Sequence, residues 1–330
     1  MTDNQEAARL VLPRLIVGLW GITGGDMWGP QDEADSIRAI HAAIDHGLTA
    51  FDTAEGYGNG YSEEVLGKAL SEVARGSTYV LTKVSEKKLR PEDLSAACEK
   101  SLKRLGTDYI DLYQVHWPNP AIPLSETTGA LEHLVETGKI RAYGVSNFGP
   151  TDLAELYQVG GAPRTNQLAY SLLFRAVEFE IANILKDKGT GIIAYSALLH
   201  GILTGKFPDL ASVPDGRART RHFSPERSGT RHGSQGHEQE THRALEAIRS
   251  VCSDAGISMR EAALHWVLTR DGVDAALIGV RNAEQAAQNA RILHETPDAS
   301  VMESLSDATA PLKEAMGPHA DMWTLGKRIR

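Results

Sequence analysis

The chain has 330 residues, 42% hydrophobic and 23% charged, with a formal net charge of −9, a balance that supplies a large core and excludes a disordered chain. The acidic charge also argues against nucleic acid or an anionic membrane surface as the main partner, a local basic patch aside, and favours a small-molecule ligand. Cys98 and Cys252, the two cysteines, lie in helix-like segments, which excludes a disulfide framework and a cysteine-based metal site.

The opening MTDNQEAARL lacks a leader pattern and no run of about 18 apolar residues occurs, so a cytoplasmic protein without a membrane partner is expected. In chain order, short apolar runs read as strands at Leu15–Val17, Thr49–Phe51, Tyr79–Leu81, Ile110–Val115, Ala142–Val145, Thr165–Leu168, Gly191–Tyr195 and Ala275–Ile278. Helical stretches separate them: Ile37, Ile40 and Ile44 share one face, and Val65, Leu66, Ala69, Leu70 and Val73 form an apolar stripe. Ser62 with Glu63 and Glu64 reads as a helix start, Pro91 with Glu92 and Asp93 as another, and Gly47 and Gly138 as helix stops.

Strand follows helix follows strand at roughly the length of one βα unit, the pattern of a parallel sheet. Eight units make a (β/α)8 TIM barrel, expected as one domain over residues 1–330 with a C-terminal helix and a tail at 317–330. The span between the seventh and eighth strands is too long for one unit and holds an Arg-, His-, Gly- and Ser-rich insertion at 208–240. A doubly wound sheet is the structural rival, but no Gly-x-Gly-x-x-Gly follows the first strand.

Catalytic groups in such a barrel come from the C-terminal ends of the strands. There the sequence places Trp20, Asp52, Lys83, His116, Ser146 with Asn147, Gln167, Tyr195 with Ser196, and Gly279 with Arg281. Repetition of polar residues at every strand end makes a set of unrelated solvent contacts a poor explanation.

Several blocks then carry a resemblance: Phe51-Asp52-Thr53-Ala54-Glu55-Gly56-Tyr57-Gly58-Asn59-Gly60, Leu81-Thr82-Lys83, Asp108 to Tyr113 running to His116-Trp117-Pro118, and Gly144-Val145-Ser146-Asn147-Phe148. With Asn166-Gln167 and Tyr195-Ser196 through Lys206 in the same order, the chain from about Leu10 to Asn289 resembles the aldo-keto reductases. The resemblance implies a nicotinamide cofactor held without a Rossmann fold, and reduction of an aldehyde or ketone, sugar-like and polar, to the alcohol.

It also implies a catalytic set of Asp52, Tyr57, Lys83 and His116. A tyrosine, ordinarily a weak acid, can act as proton donor when a neighbouring ammonium favours its anion, so Tyr57 is expected to donate, Lys83 to tune it, Asp52 to hold Lys83, and His116 to orient the substrate oxygen. A plain ion pair of Asp52 with Lys83 is the bland alternative. Two other readings stay open: a cofactor-carrying regulatory subunit with little turnover, and a barrel lyase or isomerase using Lys83 as a Schiff base.

For the cofactor, the resemblance assigns Ser146, Asn147 and Gln167 to the carboxamide and Tyr195 to stacking on the nicotinamide. Ser196, Ala197, Leu198, Leu199 and Gly201, followed by Lys206, match the loop around the pyrophosphate, with Ala197 and Leu199 departing from the usual Pro and Gly. Trp20, Gly21 and Asp52 also belong to the cofactor set, as do Gly279, Arg281, Gln285 and Asn289 at the adenosine end. Arg281 is the natural partner for a 2′-phosphate, since a guanidinium binds phosphate through a planar fork, which makes NADP the expected cofactor. Trp20, Trp28, Tyr57, His116, Trp117, Phe148 and Trp323 are the candidate walls of the substrate pocket. The insertion brings Arg217, Arg219, Arg221, Arg227 and Arg231 with His222, His232 and His237, either an anion site or a solvated flexible loop. No metal is expected, and no oligomeric state can be read.

Overall fold

In the computed structural model, which describes residues 10–295, 298–326 and 328–330, a closed barrel is formed by β1 (Leu15–Gly18), β2 (Ala50–Asp52), β3 (Tyr79–Val84), β4 (Ile110–Val115), β5 (Ile140–Ser146), β6 (Thr165–Ala169), β7 (Gly191–Tyr195) and β8 (Val273–Gly279). Each strand pairs in parallel with the next, and β8 returns to β1 with Leu15 opposite Ala276 and Gly18 opposite Gly279. Side chains of a strand alternate between its two faces. One alternate set, Ile16, Ala50, Leu81, Leu112, Ile193 and Ala275, packs as a small apolar cluster closed below by Leu10 and Leu12. Two residues further along, the same faces carry Asp52, Lys83, Gln114 and Tyr195. An apolar layer thus plugs the barrel, and the layer above it is polar.

Helices α1 (Gly25–Trp28), α2 (Glu33–Asp45), α3 (Tyr61–Leu70), α4 (Pro91–Leu105), α5 (Leu124–Glu136), α6 (Pro150–Gln158) and α7 (Ile181–Asp187) follow the first six strands, with α8 (Glu238–Ala255) and α9 (Met259–Leu268) after β7 and α10 (Ala283–Ala290) and α11 (Ala299–Met316) after β8. Pro91 opens α4 as expected, and Gly47 and Gly138 follow α2 and α5 with φ of +81° and +72°. Ser62 does not cap α3. That helix starts one residue earlier, and the buried Ser62 hydroxyl accepts from Thr53 Oγ1 and donates to the Leu19 carbonyl, tying the β1 and β2 ends together. The stretch before the last strand is also more ordered than its composition implies. Glu238–Glu240 already belong to α8, which packs against α11 outside the barrel.

The insertion is a packed segment, with Leu210, Val213, Ala218 and Phe223 buried. Arg221 donates to the carbonyls of Met316, His319 and Asp321, and His222 bridges Thr220 Oγ1 and the Leu173 carbonyl. These two side chains bind protein and not an anion. The tail is pinned in turn: Arg328 pairs with the buried Asp321, and Arg330 with Asp152 and Glu155. At Gly216 a Cβ would lie 2.3 Å from the Asp26 carbonyl, so only glycine lets the insertion run this close over the β1 loop.

Candidate active site

A cavity of about 530 Å³ opens at the C-terminal end of the barrel. Beneath it, the fully buried Lys83 ammonium pairs with Asp52 Oδ1 and donates to the Thr53 carbonyl at 2.8 Å, with the Tyr57 hydroxyl at 3.5 Å. Asp52 Oδ2 accepts from Gln167 Nε2 at 2.9 Å and from Gln114 Nε2 at 3.2 Å. The carboxylate therefore sits in a nearly complete set of donors, and with it the position of Lys83 is set.

Tyr57 follows β2 in a short turn where Gly58 and Asn59 adopt φ of +60° and +55°, a left-handed excursion that glycine and asparagine tolerate best. Its ring faces the cavity 5.7 Å from the His116 ring. Burial raises the Tyr57 phenol above its ordinary value, with Lys83 pulling the other way. Burial also opposes the Lys83 charge, yet Asp52 and Tyr57 outweigh it and hold the ammonium above its usual pKa. Desolvation is the larger influence on the phenol, and the Lys83 ammonium offsets some of it. His116 is pushed down to about 3 by burial and by Lys83, so it meets a ligand as a neutral ring.

The remaining strand ends form one network. The Tyr195 hydroxyl donates to Asn147 Oδ1 at 2.9 Å, and Asn147 Nδ2 donates to Ser146 Oγ and the His116 carbonyl, both at 3.0 Å. Asn147, Ser196, Leu199 and His200 all have positive φ, strain that clusters around the site.

Trp20, Gly21, Trp28, Asp52, Tyr57, His116, Trp117, Ser146, Asn147, Gln167, Tyr195, Ser196, Ala197, Leu198, Gly201, Lys206, Gly279, Arg281, Gln285 and Trp323 all line the cavity. Four expected residues do not. Lys83 lies beneath it, reached through Tyr57. Phe148 is fully buried in the main core, because the strand-end turn points its ring behind the wall. Leu199 is buried likewise. Asn289 is buried with Oδ1 accepting from Arg260 at 3.0 Å and Nδ2 donating to the Gly279 carbonyl, so it positions Arg260 and, unlike Gln285, does not line the cavity.

Arg281 is engaged as well: it donates to the carbonyls of Trp28, Gly29 and Pro30 and to Gln31 Oε1, and Gln285 Oε1 accepts from its backbone N–H. A guanidinium has five N–H bonds, and most of these hold the β1 loop. The cavity wall also includes Leu19, His200, Thr204, Arg217, Arg260, Leu277 and Ile278. His200 and Arg260 come from positions with no strand-end signal. The fold of the β7 loop brings in His200, and the hydrogen bond from Arg260 on α9 to Asn289 on α10 fixes Arg260.

Lys206, Arg217, Arg260 and Arg281 line the cavity, whereas its only carboxylate among the described residues is Asp52, already paired with Lys83. Burial, then mutual repulsion with the three guanidiniums, holds Lys206 at the rim below its ordinary pKa. Such an unneutralised arc of cations calls for an anion. Among the described residues no group of three or more His, Cys, Asp or Glu is gathered for a metal, and no helix is long and apolar enough to cross a membrane.

The aldo/keto reductase family model matches residues 14–309. The aldo-keto reductase YhdN of Bacillus subtilis is 35% identical over 285 residues, 82% of each chain. An NADH-specific methylglyoxal reductase of Escherichia coli is 31% identical over 91% of this chain and 96% of its own. Among solved structures, an aldo/keto reductase from Klebsiella pneumoniae in complex with NADP and acetate superposes with a TM-score of 0.69 at 28% identity, covering 94% of this chain and 95% of that one. With the closed eight-stranded barrel, these matches over nearly the whole length establish that the chain belongs to the aldo/keto reductase family, and so to the oxidoreductases.

Proposed function

We propose that the protein reduces a small polar aldehyde or ketone to the alcohol with NADPH, Tyr57 giving the proton. The observation that carries this reading is one cavity onto which the Tyr57 hydroxyl and the His116 ring both face, with Lys83 and Asp52 locked beneath.

A nicotinamide cofactor fits the residues present. Ser146, Asn147 and Gln167 offer amide and hydroxyl groups for its carboxamide and Tyr195 a ring beside them. Ser196, Ala197, Leu198, Gly201 and Lys206 would hold the pyrophosphate and Gly279, Arg281 and Gln285 the adenosine end, with Trp20 and Gly21 on the β1 side of the same cavity. The arc of Lys206, Arg217, Arg260 and Arg281 supplies the charge for phosphates, and its size favours NADPH over NADH. When bound, NADPH supplies a hydride to the carbonyl carbon. As charge develops on the carbonyl oxygen, the Tyr57 O–H bond breaks, its proton passes to that oxygen, and the phenolate left behind faces the Lys83 ammonium. Neutral His116 donates a hydrogen bond to the same oxygen without giving up its proton. The reverse reaction uses the same groups, with Tyr57 as base.

A Schiff-base role for Lys83 fits poorly, because an attacking lysine needs a lowered pKa, whereas Asp52 and Tyr57 raise this one. The test follows NADPH absorbance with methylglyoxal, glyceraldehyde and sugar aldehydes, alongside borohydride trapping without cofactor. Aldehyde-dependent NADPH oxidation with no trapped adduct is expected. Tight NADPH binding with no turnover on any carbonyl would favour the regulatory reading, and a trapped adduct the lyase.

A further inference from the structure

Trp20 joins two sets of rings in the cavity. It stacks on Tyr57 at 6.0 Å, and it meets Trp28 at 5.4 Å and Trp323 at 6.2 Å. His200 belongs to the second set, stacked on Trp323 at 5.0 Å and edge-on to Trp28 at 6.0 Å. Three separate pieces of chain, the β1 loop, the β7 loop and the tail, therefore converge on one patch of wall next to the reacting centre.

The polar atoms of this patch are left unsatisfied. His200 is only 7% exposed, yet among the described residues neither Nδ1 nor Nε2 makes a hydrogen bond, and Trp28 Nε1 is buried without a partner as well. The backbone carbonyl of Arg217 lies near enough to favour a proton on the ring without completing a bond. Burial pushes the imidazole down to about 4, so it is neutral and offers one donor and one acceptor, while the indole offers a donor. Buried polar groups without partners are costly and uncommon in native structures. His200 also sits at φ +53°, so the backbone holds it there under strain.

We propose that Trp28, His200 and Trp323 form a hydroxyl-reading subsite for the part of the substrate beyond the reacting carbonyl, so that hydroxylated aldehydes are taken in preference to alkyl aldehydes of the same length. Both groups are closed to solvent in the ligand-free chain, so a hydroxyl reaches them as the rings of the patch part around it; it can then accept from the Trp28 N–H and donate to the free imidazole nitrogen, and the aromatic faces cover the C–H surface of a polyol chain. A carboxylate or phosphate could only accept, which leaves the imidazole acceptor unused. This inference rests on the reductase reading above.

The test compares D-erythrose with butanal, both four-carbon aldehydes, as the ratio of kcat/KM values in wild type, His200→Phe and Trp28→Phe, with NADPH Kd from nucleotide fluorescence. Trp28→Phe removes the donor without touching the strained backbone, so it carries the test even where His200→Phe does not fold. The expected result is a wild-type ratio well above one that falls about 3- to 10-fold in each variant, the size of one neutral hydrogen bond, with a smaller change in NADPH Kd. An unchanged ratio in folded variants that still turn over overturns the subsite alone, as does a loss of NADPH affinity that matches the loss on erythrose, which would place the imidazole on the cofactor. If no carbonyl, erythrose and butanal included, makes wild type oxidise NADPH, the reductase reading falls and takes the subsite with it.

Discussion

The inner and outer ends of the cavity are built on opposite principles. At the inner end the buried ion pair and its surroundings are already answered: Lys83 by Asp52 and Thr53, Asp52 by Gln114 and Gln167, Tyr195 by Asn147. At the outer end, four cations face a single carboxylate that is spent elsewhere, and His200 and Trp28 keep polar atoms unbonded. The inner groups stand on barrel strands or directly after them, the outer ones mostly on loops and on the tail. Groups that act on a proton gain from being rigid before the ligand arrives, whereas groups that recognise a ligand must remain free to bond with it. The contrast lets variants at the two ends be separated by what they change.

The largest effect is expected at the inner end. Tyr57→Phe removes the proton donor and keeps the ring, so turnover should drop by roughly 10²–10⁴-fold, while NADPH Kd measured by fluorescence moves little by comparison. Turnover within about tenfold of wild type would remove Tyr57 as the acid. Lys83→Met should also cost turnover, and it has a second signature. Lys83 lowers the Tyr57 pKa against the pull of burial, so without it the phenol rises further, and the basic limb of the kcat/KM profile for reduction should move to higher pH. A variant with wild-type rate and profile would make the Asp52–Lys83 pair merely structural.

At the outer end the sharper comparison is between two arginines. Arg260 lines the cavity with Asn289 as its single hydrogen-bonding side-chain partner among the described residues, so Arg260→Ala should weaken NADPH by roughly 10- to 150-fold, one charge-assisted contact, and NADH much less. Arg281 holds the β1 loop through Trp28, Gly29 and Pro30, so Arg281→Ala should weaken both cofactors together. A selective loss of NADPH in Arg281→Ala and not in Arg260→Ala would reverse this division.

The smallest effect is one of stability. Burial pushes His222 down to about 3, whereas in the unfolded chain an imidazole takes up its proton near pH 6.5. Between those values the unfolded state binds the extra proton, so stability is present in full above about pH 6.5 and is lost as pH falls. Tm should decline on acidification from pH 6.5 to 4.5, and less steeply in His222→Gln. Equal slopes would mean that other groups govern the acid limb.

The chain itself determined the barrel and most of its inner end. Apolar runs at βα spacing define eight strands, and because side chains alternate along a strand, residues just past each run were bound to meet at the barrel mouth. Asp52, Lys83, His116, Ser146, Asn147, Gln167 and Tyr195 could therefore be named in advance, whereas Tyr57 was marked only by the family resemblance of the block around it. Gln114 could have been read too, since it stands two residues past Leu112 on the same inward face. What only the tertiary structure decided lies in the connections. The Ser62 hydroxyl was taken by Leu19 across the sheet, the turn after β5 put Phe148 in the core, and Arg281 was spent on a loop some 250 residues away in sequence. The insertion, polar enough to resemble a solvated loop, is held by Arg221 to carbonyls of the tail, and the β7 loop buried His200 between two tryptophans. Periodicity reports the face of a regular element, whereas the partners of a loop side chain depend on distant segments that meet it only in the folded chain.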